Sequence, residues 1–404
     1  MKKNKFVCIH GHFYQPPREN AWLEVIEMQD SATPFHDWNE RINFECYAPN
    51  ATARILDDRQ NIIKIINNYT RISSNFGPTL LAWMEKADPD TYYKILEADR
   101  ISQSQNNGHG SALAQVYNHT IIPLCNERDK ETQIIWGIKD FEHRFKRFPE
   151  GMWLAETAVD TQSLELMAKH GIKFTILAPR QIKRVKKVIK DKWHDVNEHS
   201  IDTRRPYRCN LPSGRSIDLF VYHGENSQGV AFKGFLNNGK YFAQNLMSIF
   251  DDNDKPQISH IATDGESYGH HHRKGEMALA DCLNHIEEQN LAQIINYGAY
   301  LELYPPKWEA EIHENSSWSC VHGVERWKSD CGCSTGDNPH WNQAWRGPLR
   351  EVLDDLRGQV APIFEKTLMP FVDDAWELRD KFIDVVLNRS EENVDAFFKE
   401  HINR

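Results

Sequence analysis

The sequence predicts a mainly parallel α/β barrel followed by a helical region. Up to about residue 305, short apolar strands alternate with amphipathic helical patterns. Within that stretch the residues with chemistry to offer fall where a strand ends and its loop begins. In a parallel barrel those strand ends open onto one face, the face that carries active sites. A length of 404 residues suits a large barrel with an appendage better than one compact core.

Residues 5–9 read as the first strand, with His10-Gly11-His12 directly after it. Residues 71–75 form a second strand ending on Asn75, and 79–85 continue as an apolar helix. Residues 151–155 are a short strand with Glu156 at its end. Asp160 reads as the N-cap of a helix on which Leu164, Met167 and Ala168 share a face, and Gly171 stops it. Residues 172–177 return as a strand, so 151–177 make a βαβ unit. Residues 217–222 and 258–263 are further strands. The second leads into Asp264-Gly265-Glu266 and then into a helix with Leu279, Cys282, Leu283 and Ile286 on one face. Residues 294–297 read as a last barrel strand. The basic, alternating stretch 180–192 reads as an exposed hairpin or a solvated helix. Pro305-Pro306 marks a boundary, which assigns residues 1–305 to the barrel and 306–404 to a loop region and a C-terminal helical domain packed on it. Leu349, Val352, Leu353 and Leu356, then Phe382, Val385 and Val386, recur at helical spacing.

Composition narrows the class. The chain is 40% hydrophobic and 26% charged, ordinary for a globular protein. No apolar run approaches the ~20 residues of a membrane span. The basic opening Met1-Lys2-Lys3-Asn4-Lys5 precedes an apolar stretch too short for a signal-peptide core, so a cytoplasmic protein is expected. A net charge of −10 offers no footprint for nucleic acid. Twelve tryptophans hint at carbohydrate, whose C–H faces stack on aromatic rings, although most such residues serve packing. Eight cysteines are too sparse for a disulfide framework. Cys320, His322, Cys331 and Cys333, with His340 nearby, could close a tetrahedral zinc site. Their one-residue spacers differ from the usual spacers of about two to four, and the cluster reads as reduced thiols lining a loop.

Glu156 and Asp264 on one barrel face suit cleavage of a glycosidic bond. One carboxylate attacks the anomeric carbon while the other protonates the leaving oxygen and then activates water, with the two ~5–5.5 Å apart in retaining enzymes and ~6.5–9.5 Å in inverting ones. The acid must stay protonated near neutral pH through burial or like charge. Glu266 is placed to supply that charge or a hydrogen bond to sugar. The plainer reading of each acid alone is a helix cap or an arginine partner.

These residues resemble a family. Ile9-His10-Gly11-His12-Phe13-Tyr14-Gln15-Pro16-Pro17 looks like the opening histidine motif of glycoside hydrolase family 57. Met152-Trp153-Leu154-Ala155-Glu156 is similar to its nucleophile segment, and Thr263-Asp264-Gly265-Glu266-Ser267-Tyr268-Gly269-His270 to its acid/base segment. Tyr117-Asn118-His119 resembles the remaining histidine region. The resemblance implies an incomplete (β/α)7 barrel with a C-terminal α-helical domain, a retaining double displacement, and no metal or cofactor. It implies α-glucan substrates, with amylase, glucanotransferase, branching and α-galactosidase activities among the members. By the same match Glu156 is the nucleophile and Asp264 the acid/base, while His10, His12, His119, Trp153 and His270 line the subsite at the scissile bond.

Two departures stand out. Phe13-Tyr14 separates His12 from Gln15-Pro16. The segments Ser317-Trp318-Ser319-Cys320 and Trp341-Asn342-Gln343-Ala344-Trp345-Arg346 look closer to a subgroup in which the barrel precedes another domain. Trp341, Trp345 and Arg346 read as packing against the helices before a sugar platform.

Two other functions compete. A metal-dependent carbohydrate hydrolase, such as a sugar deacetylase or an α-mannosidase-like enzyme, could draw on His10, His12, Asp264 and His270-His271-His272. Such a site wants an aspartate near the first strand's histidine, where Gly11 and Phe13 stand. A non-catalytic glucan-binding barrel is the other, and the presence of both carboxylates speaks against it.

Overall fold

The computed structural model describes residues 4–190, 192–334, 336 and 338–402; residues 1–3 of the basic opening and Asp191 of the basic stretch lie outside them. Seven parallel strands form the barrel: β1 (Lys5–Phe13), β2 (Ser73–Phe76), β3 (Ala112–Gln115), β4 (Met152–Trp153), β5 (Phe174–Leu177), β6 (Ser216–Val221) and β7 (Gln257–Asp264). The ring runs β7-β1-β2-β3-β4, and Gly151 bridges to Phe174 to carry it on to β5 and β6. Between β6 and β7 the ring is incomplete. Strand Tyr207–Asn210 pairs antiparallel along β6, and the His223 N–H reaches the His260 carbonyl of β7 at 2.8 Å. The chain is therefore an incomplete (β/α)7 barrel, as expected.

Both faces of the parallel strands are covered, which is why β1 is buried along its whole length. Helices α1 (Pro78–Ala87), α2 (Pro89–Gln105), α3 (Glu127–Phe145), α4 (Thr161–Lys169), α5 (Gly224–Phe232), α6 (Gly239–Met247) and α7 (Gly275–Glu288) form the outer layer. Asp160 caps α4 through the Ser163 N–H at 2.8 Å, and Leu279, Cys282, Leu283 and Ile286 of α7 are fully buried, both as predicted.

Two expectations change, and one strand is added. Only Gln293–Ile294 is extended, beside Phe6 and Val7. Asn296 then accepts from the Ala299 N–H and starts helix α8 (Tyr297–Leu303), so cap chemistry overrides the apolar run that read as a barrel strand. Strand β3 is not legible in Ala112-Leu113-Ala114-Gln115, because its strand state comes from pairing on both sides. Trp341 and Trp345 stand 78% and 57% exposed rather than packed on helices. The basic stretch is a hairpin, strand Ile182–Lys187 against His194–Asp195, in a second sheet that also takes Trp308–Ile312.

Beyond the barrel lie α9 (Arg346–Leu368), α10 (Ala375–Lys381), α11 (Ile383–Leu387) and α12 (Glu391–His401). Arg379 of α10 pairs with Asp129 of α3 at 2.7 Å, and Trp136 of α3 donates to the Asp380 carbonyl at 3.0 Å. The apolar stripe of α9, Leu349, Val352, Leu353 and Leu356, is 49–65% exposed.

Candidate active site

Strand alternation decides which side chains meet. On β1, Phe6 and Cys8 join the interior aromatic cluster while Val7, Ile9 and Phe13 join the core under the helices, so His10 and His12 point inward. On β7 the inward set is Ile258, His260, Ala262 and Asp264, and register places Asp264 opposite His12. Gly265 follows at the tight exit from β7. A Cβ there would fall 2.2 Å from the Phe13 ring, so no larger residue lets this turn close on β1.

A chain of imidazoles lines the floor. His10 stacks on Trp153 with centroids 4.9 Å apart and bridges Ser73 Oγ and Asn75 Oδ1, each at 3.0 Å. Asn75 Nδ2 donates to Gln115 Oε1 at 2.7 Å and to His12 Nδ1 at 2.9 Å. That amide orientation leaves the His12 proton on Nε2, which faces His119 Nε2 at 2.9 Å. Burial lowers the His10 pKa to about 3 and that of His119 to about 4. His12 is lowered well below its ordinary value, first by burial and then by the neighbouring imidazoles. Tyr14 stacks on His119 at 3.7 Å, so one of the two residues that depart from the family motif covers the histidine pair. Trp153 is fully buried against His10 and His12, and its Nε1 and the Gln115 Nε2 have no protein acceptor.

Glu156 sits on the turn after β4 with φ 56°, and Thr157 follows at φ 51°. Such conformations cost roughly 1–3 kcal/mol each and persist only where surroundings hold them. Here Gln181 does so from inside, donating to the Thr157 carbonyl at 2.7 Å and accepting from Thr157 Oγ1 at 2.8 Å. From the other side the 316–319 segment pairs with the turn: Val159 bridges Ser316, and the Trp318 N–H donates to the Glu156 carbonyl at 3.1 Å. The Glu156 carboxylate then receives Trp318 Nε1–H at 2.9 Å and Ser319 Oγ–H at 2.5 Å, both on Oε2.

Glu156 and Asp264 share a cavity of about 520 Å³, walled also by Arg180, Tyr222, Trp318 and Ser319. That volume falls within the ~300–1,000 Å³ of small-molecule sites. Asp264 is exposed on the cavity side, and the protein packed around the cavity partly desolvates it. This desolvation, with the Glu156 charge added, raises its pKa to about 6. Glu266 faces away from the cavity, accepting from Tyr47 Oη–H at 2.6 Å and the Tyr14 N–H at 3.1 Å. Burial pushes its pKa up to about 7 against the pull of the Tyr47 bond, with the Asp264 charge adding to the rise. His270 hydrogen-bonds Glu45 and lies edge-on to Trp38.

The structure thus brings Glu156 and Asp264 into one cavity, and gathers His10, His12, His119 and Trp153 in the neighbouring floor. Among the described residues, the cavity wall does not include those four, Glu266 or His270. The sequence pattern does not mark Tyr222, Gln181, Trp318 or Ser319 as site residues, although the Ser317–Cys320 segment stands out as a departure from the family motifs. The one group of three or more convergent metal-ligand side chains among the described residues is Cys320, His322, Cys331 and Cys333. Among the described residues, that group does not include His10, His12, Asp264 or the 270–272 histidines.

Comparison with known proteins bears on the fold and the family. The chain is 28% identical over 209 residues to Alpha-amylase 1 of Dictyoglomus thermophilum, a match covering 49% of this chain and 26% of that protein. The chain therefore spans about a quarter of that curated relative. Among solved structures, the exo-type maltose-forming amylase of Pyrococcus sp. ST04 superposes with a TM-score of 0.69 at 16% identity, covering 98% of this chain and 68% of its own. The 4-alpha-glucanotransferase of Thermococcus litoralis gives 0.58 at 15%, covering 90% and 47%. The GH57-type branching enzyme of Pyrococcus horikoshii gives 0.55 at 17%, covering 81% and 75%. At these identities the superpositions establish a shared fold. Residues 341–404 match the model of a domain of unknown function (DUF3536). Residues 5–313, which contain every barrel strand and both cavity carboxylates, match the model of glycosyl hydrolase family 57, and the chain belongs to that family.

Proposed function

We propose that the protein is a retaining glycoside hydrolase or transglycosylase acting on α-linked glucans. One observation carries the reading: two carboxylates from the ends of β4 and β7 share one cavity, and they are differentiated. Asp264 has its pKa raised to about 6, as an acid catalyst requires, while Glu156 has both hydrogen bonds on Oε2. In the first step Glu156 Oε1 attacks the anomeric carbon, the glycosidic C–O bond breaks, and the Asp264 proton goes to the leaving oxygen. In the second, Asp264 takes a proton from water or from a sugar hydroxyl, whose oxygen displaces Glu156 from the anomeric carbon. Water gives hydrolysis and a sugar hydroxyl gives transfer.

The substrate class rests on the relatives, which are named as an alpha-amylase, a maltose-forming amylase, a glucanotransferase and a branching enzyme. Tyr222 and Trp318 in the cavity wall suit sugar faces. Buried His10, His12, His119 and Trp153 support this subsite from beneath, holding its shape through neutral hydrogen bonds. No helix among the described residues is long and apolar enough to cross a membrane. The free cysteines favour a reducing compartment, so the reading places the enzyme in the cytoplasm, with no nucleic-acid partner.

Product analysis on maltooligosaccharides and α-glucans tests this, with wild type beside Glu156→Gln. Wild type should yield shorter or rearranged chains with retained anomeric configuration. Glu156→Gln should lose turnover by several orders of magnitude while still binding the oligosaccharide, because the nucleophile is removed and the shape kept. Near wild-type turnover in that variant, or inverted products, would refute the assignment.

A further inference from the structure

The loop after Ser319 carries Cys320, His322, Cys331 and Cys333, whose ligand atoms all lie within 4.8 Å of one another. Cys320 Sγ is 3.6 Å from Cys333 Sγ, 4.0 Å from Cys331 Sγ and 3.9 Å from His322 Nδ1. Cys333 Sγ and His322 Nδ1 are 3.6 Å apart. A tetrahedron built on Zn–S bonds of ~2.3 Å and a Zn–N bond of ~2.0–2.1 Å has edges of about 3.8 Å between sulfurs and about 3.6 Å from sulfur to nitrogen. Four of the six separations therefore match these edges to within about 0.3 Å, the rest fall within 4.8 Å, and the sulfurs stand far outside the ~2.05 Å of a disulfide. We propose that these four residues bind one zinc ion, and that the ion holds Trp318 and Ser319 against Glu156.

The surrounding loop is built for it. Gly332, at φ +78°, reverses the chain between Cys331 and Cys333 so that both thiols turn to one centre, which explains the tolerance of a one-residue spacer. Gln343 bonds the Cys333 carbonyl, and its own N–H donates to Asp330 at 3.0 Å, so the Trp341–Arg346 motif closes the loop from outside. Arg326 donates to the Ser319 carbonyl at 3.0 Å, and Arg346 in turn bonds the Arg326 carbonyl. On binding, three thiol protons leave to solvent and neutral His322 supplies the Nδ1 lone pair, giving a site of net charge −1 beside Arg326. Three thiolates and an imidazole in tetrahedral array select zinc over harder cations, and no open position is left for catalysis. The ligand Cys320 directly follows Ser319, whose hydroxyl is 2.5 Å from the Glu156 carboxylate. The metal thus acts on catalysis through position alone. The zinc site itself is independent of the proposed reaction, whereas the coupling to turnover rests on the role of Glu156.

The test starts from the intact protein purified without chelator and analysed for metal. About one zinc per chain is expected, lost in Cys331→Ser and kept in His12→Gln, which would lose it if the barrel histidines were the ligands. Cobalt exchanged for zinc should show the visible bands of tetrahedral thiolate-bound cobalt, a readout that needs no substrate. Slow depletion of the wild type should cut kcat on a maltooligosaccharide ~10–100-fold with a smaller change in KM, and added zinc should restore it. A metal-free protein that fails to take up zinc or cobalt, or a Cys320–Cys333 disulfide under native conditions, would overturn the site. Bound zinc whose removal leaves kcat unchanged would overturn the coupling. Failure of all glucan turnover would refute the proposed reaction while the zinc count and cobalt spectrum still decide the site.

Discussion

Gln181→Leu should loosen the turn that presents Glu156 while leaving the cavity wall in place. The Gln181 amide is wholly buried and serves four groups: Oε1 accepts from the Ala178 N–H and from Thr157 Oγ1, both at 2.8 Å, and Nε2 donates to the Thr157 carbonyl at 2.7 Å and to Ser316 Oγ at 3.4 Å. Leucine keeps the volume but strands the Ala178 N–H and the Thr157 carbonyl. Each stranded buried group costs ~1–3 kcal/mol, so the loss of stability should be ~2–6 kcal/mol. Glu156 and Thr157 sit at positive φ, and without the clamp they relax toward commoner geometry. A shift of ~1 Å at a reacting group can cost ~10²-fold in rate. Urea unfolding and steady-state kinetics on a maltooligosaccharide, run where the variant is fully folded, measure both effects. The expected result is a lowered urea midpoint and kcat down ~10²-fold with KM little changed, since Gln181 does not line the cavity. Stability within 1 kcal/mol of wild type and kcat within about twofold would refute the reasoning.

The remaining predictions concern protons. Because the first step needs protonated Asp264, kcat/KM should fall about tenfold per pH unit above about pH 6, and Asp264→Asn should abolish that limb. The same variant should lose ~10²–10⁴-fold on natural glucans but far less on a nitrophenyl glycoside, whose leaving group needs no proton; equal losses on both would contradict an acid role. His10 is held neutral in the fold, with pKa about 3 against about 6.5 when unfolded, so unfolding takes up a proton between those values. Its contribution to stability is complete above pH 6.5 and is lost as pH falls toward 3. His10→Gln should therefore flatten the pH dependence of the unfolding free energy by about one proton, ~1.4 kcal/mol per pH unit, in urea titrations from pH 4 to 6.

Local chemistry makes much of this protein legible in its sequence. Short apolar runs between helical patterns announce the barrel strands β1, β2, β4, β5, β6 and β7. They also place His12, Glu156 and Asp264 at or just beyond the C-terminal ends of their strands, and β geometry fixes which side chains face inward. Asp160 and Gly171 punctuate α4 through cap and stop preferences that act within a few residues. β3 escaped because Ala112-Leu113-Ala114-Gln115 has little propensity of its own and is a strand by virtue of its neighbours. The run at 294–297 misled because Asn296 spends its side chain on starting a helix.

What the sequence determined alone is the set of groups that one barrel face presents, since strand parity and order along the chain follow from nearest-neighbour geometry. Tertiary structure decided how each group is used. Glu156 owes its hydrogen bonds to Trp318 and Ser319, more than 160 positions later. Asp264 owes its raised pKa to the cavity wall and to Glu156 from another strand. His270 is drawn to Glu45 and away from the cavity, though it lies only six residues beyond Asp264. Cys320, His322, Cys331 and Cys333 gain a common centre only when their loop folds over the Glu156 turn. Desolvation, charge proximity and ligand geometry depend on distances through space, and these are set by which strands and loops close on one another.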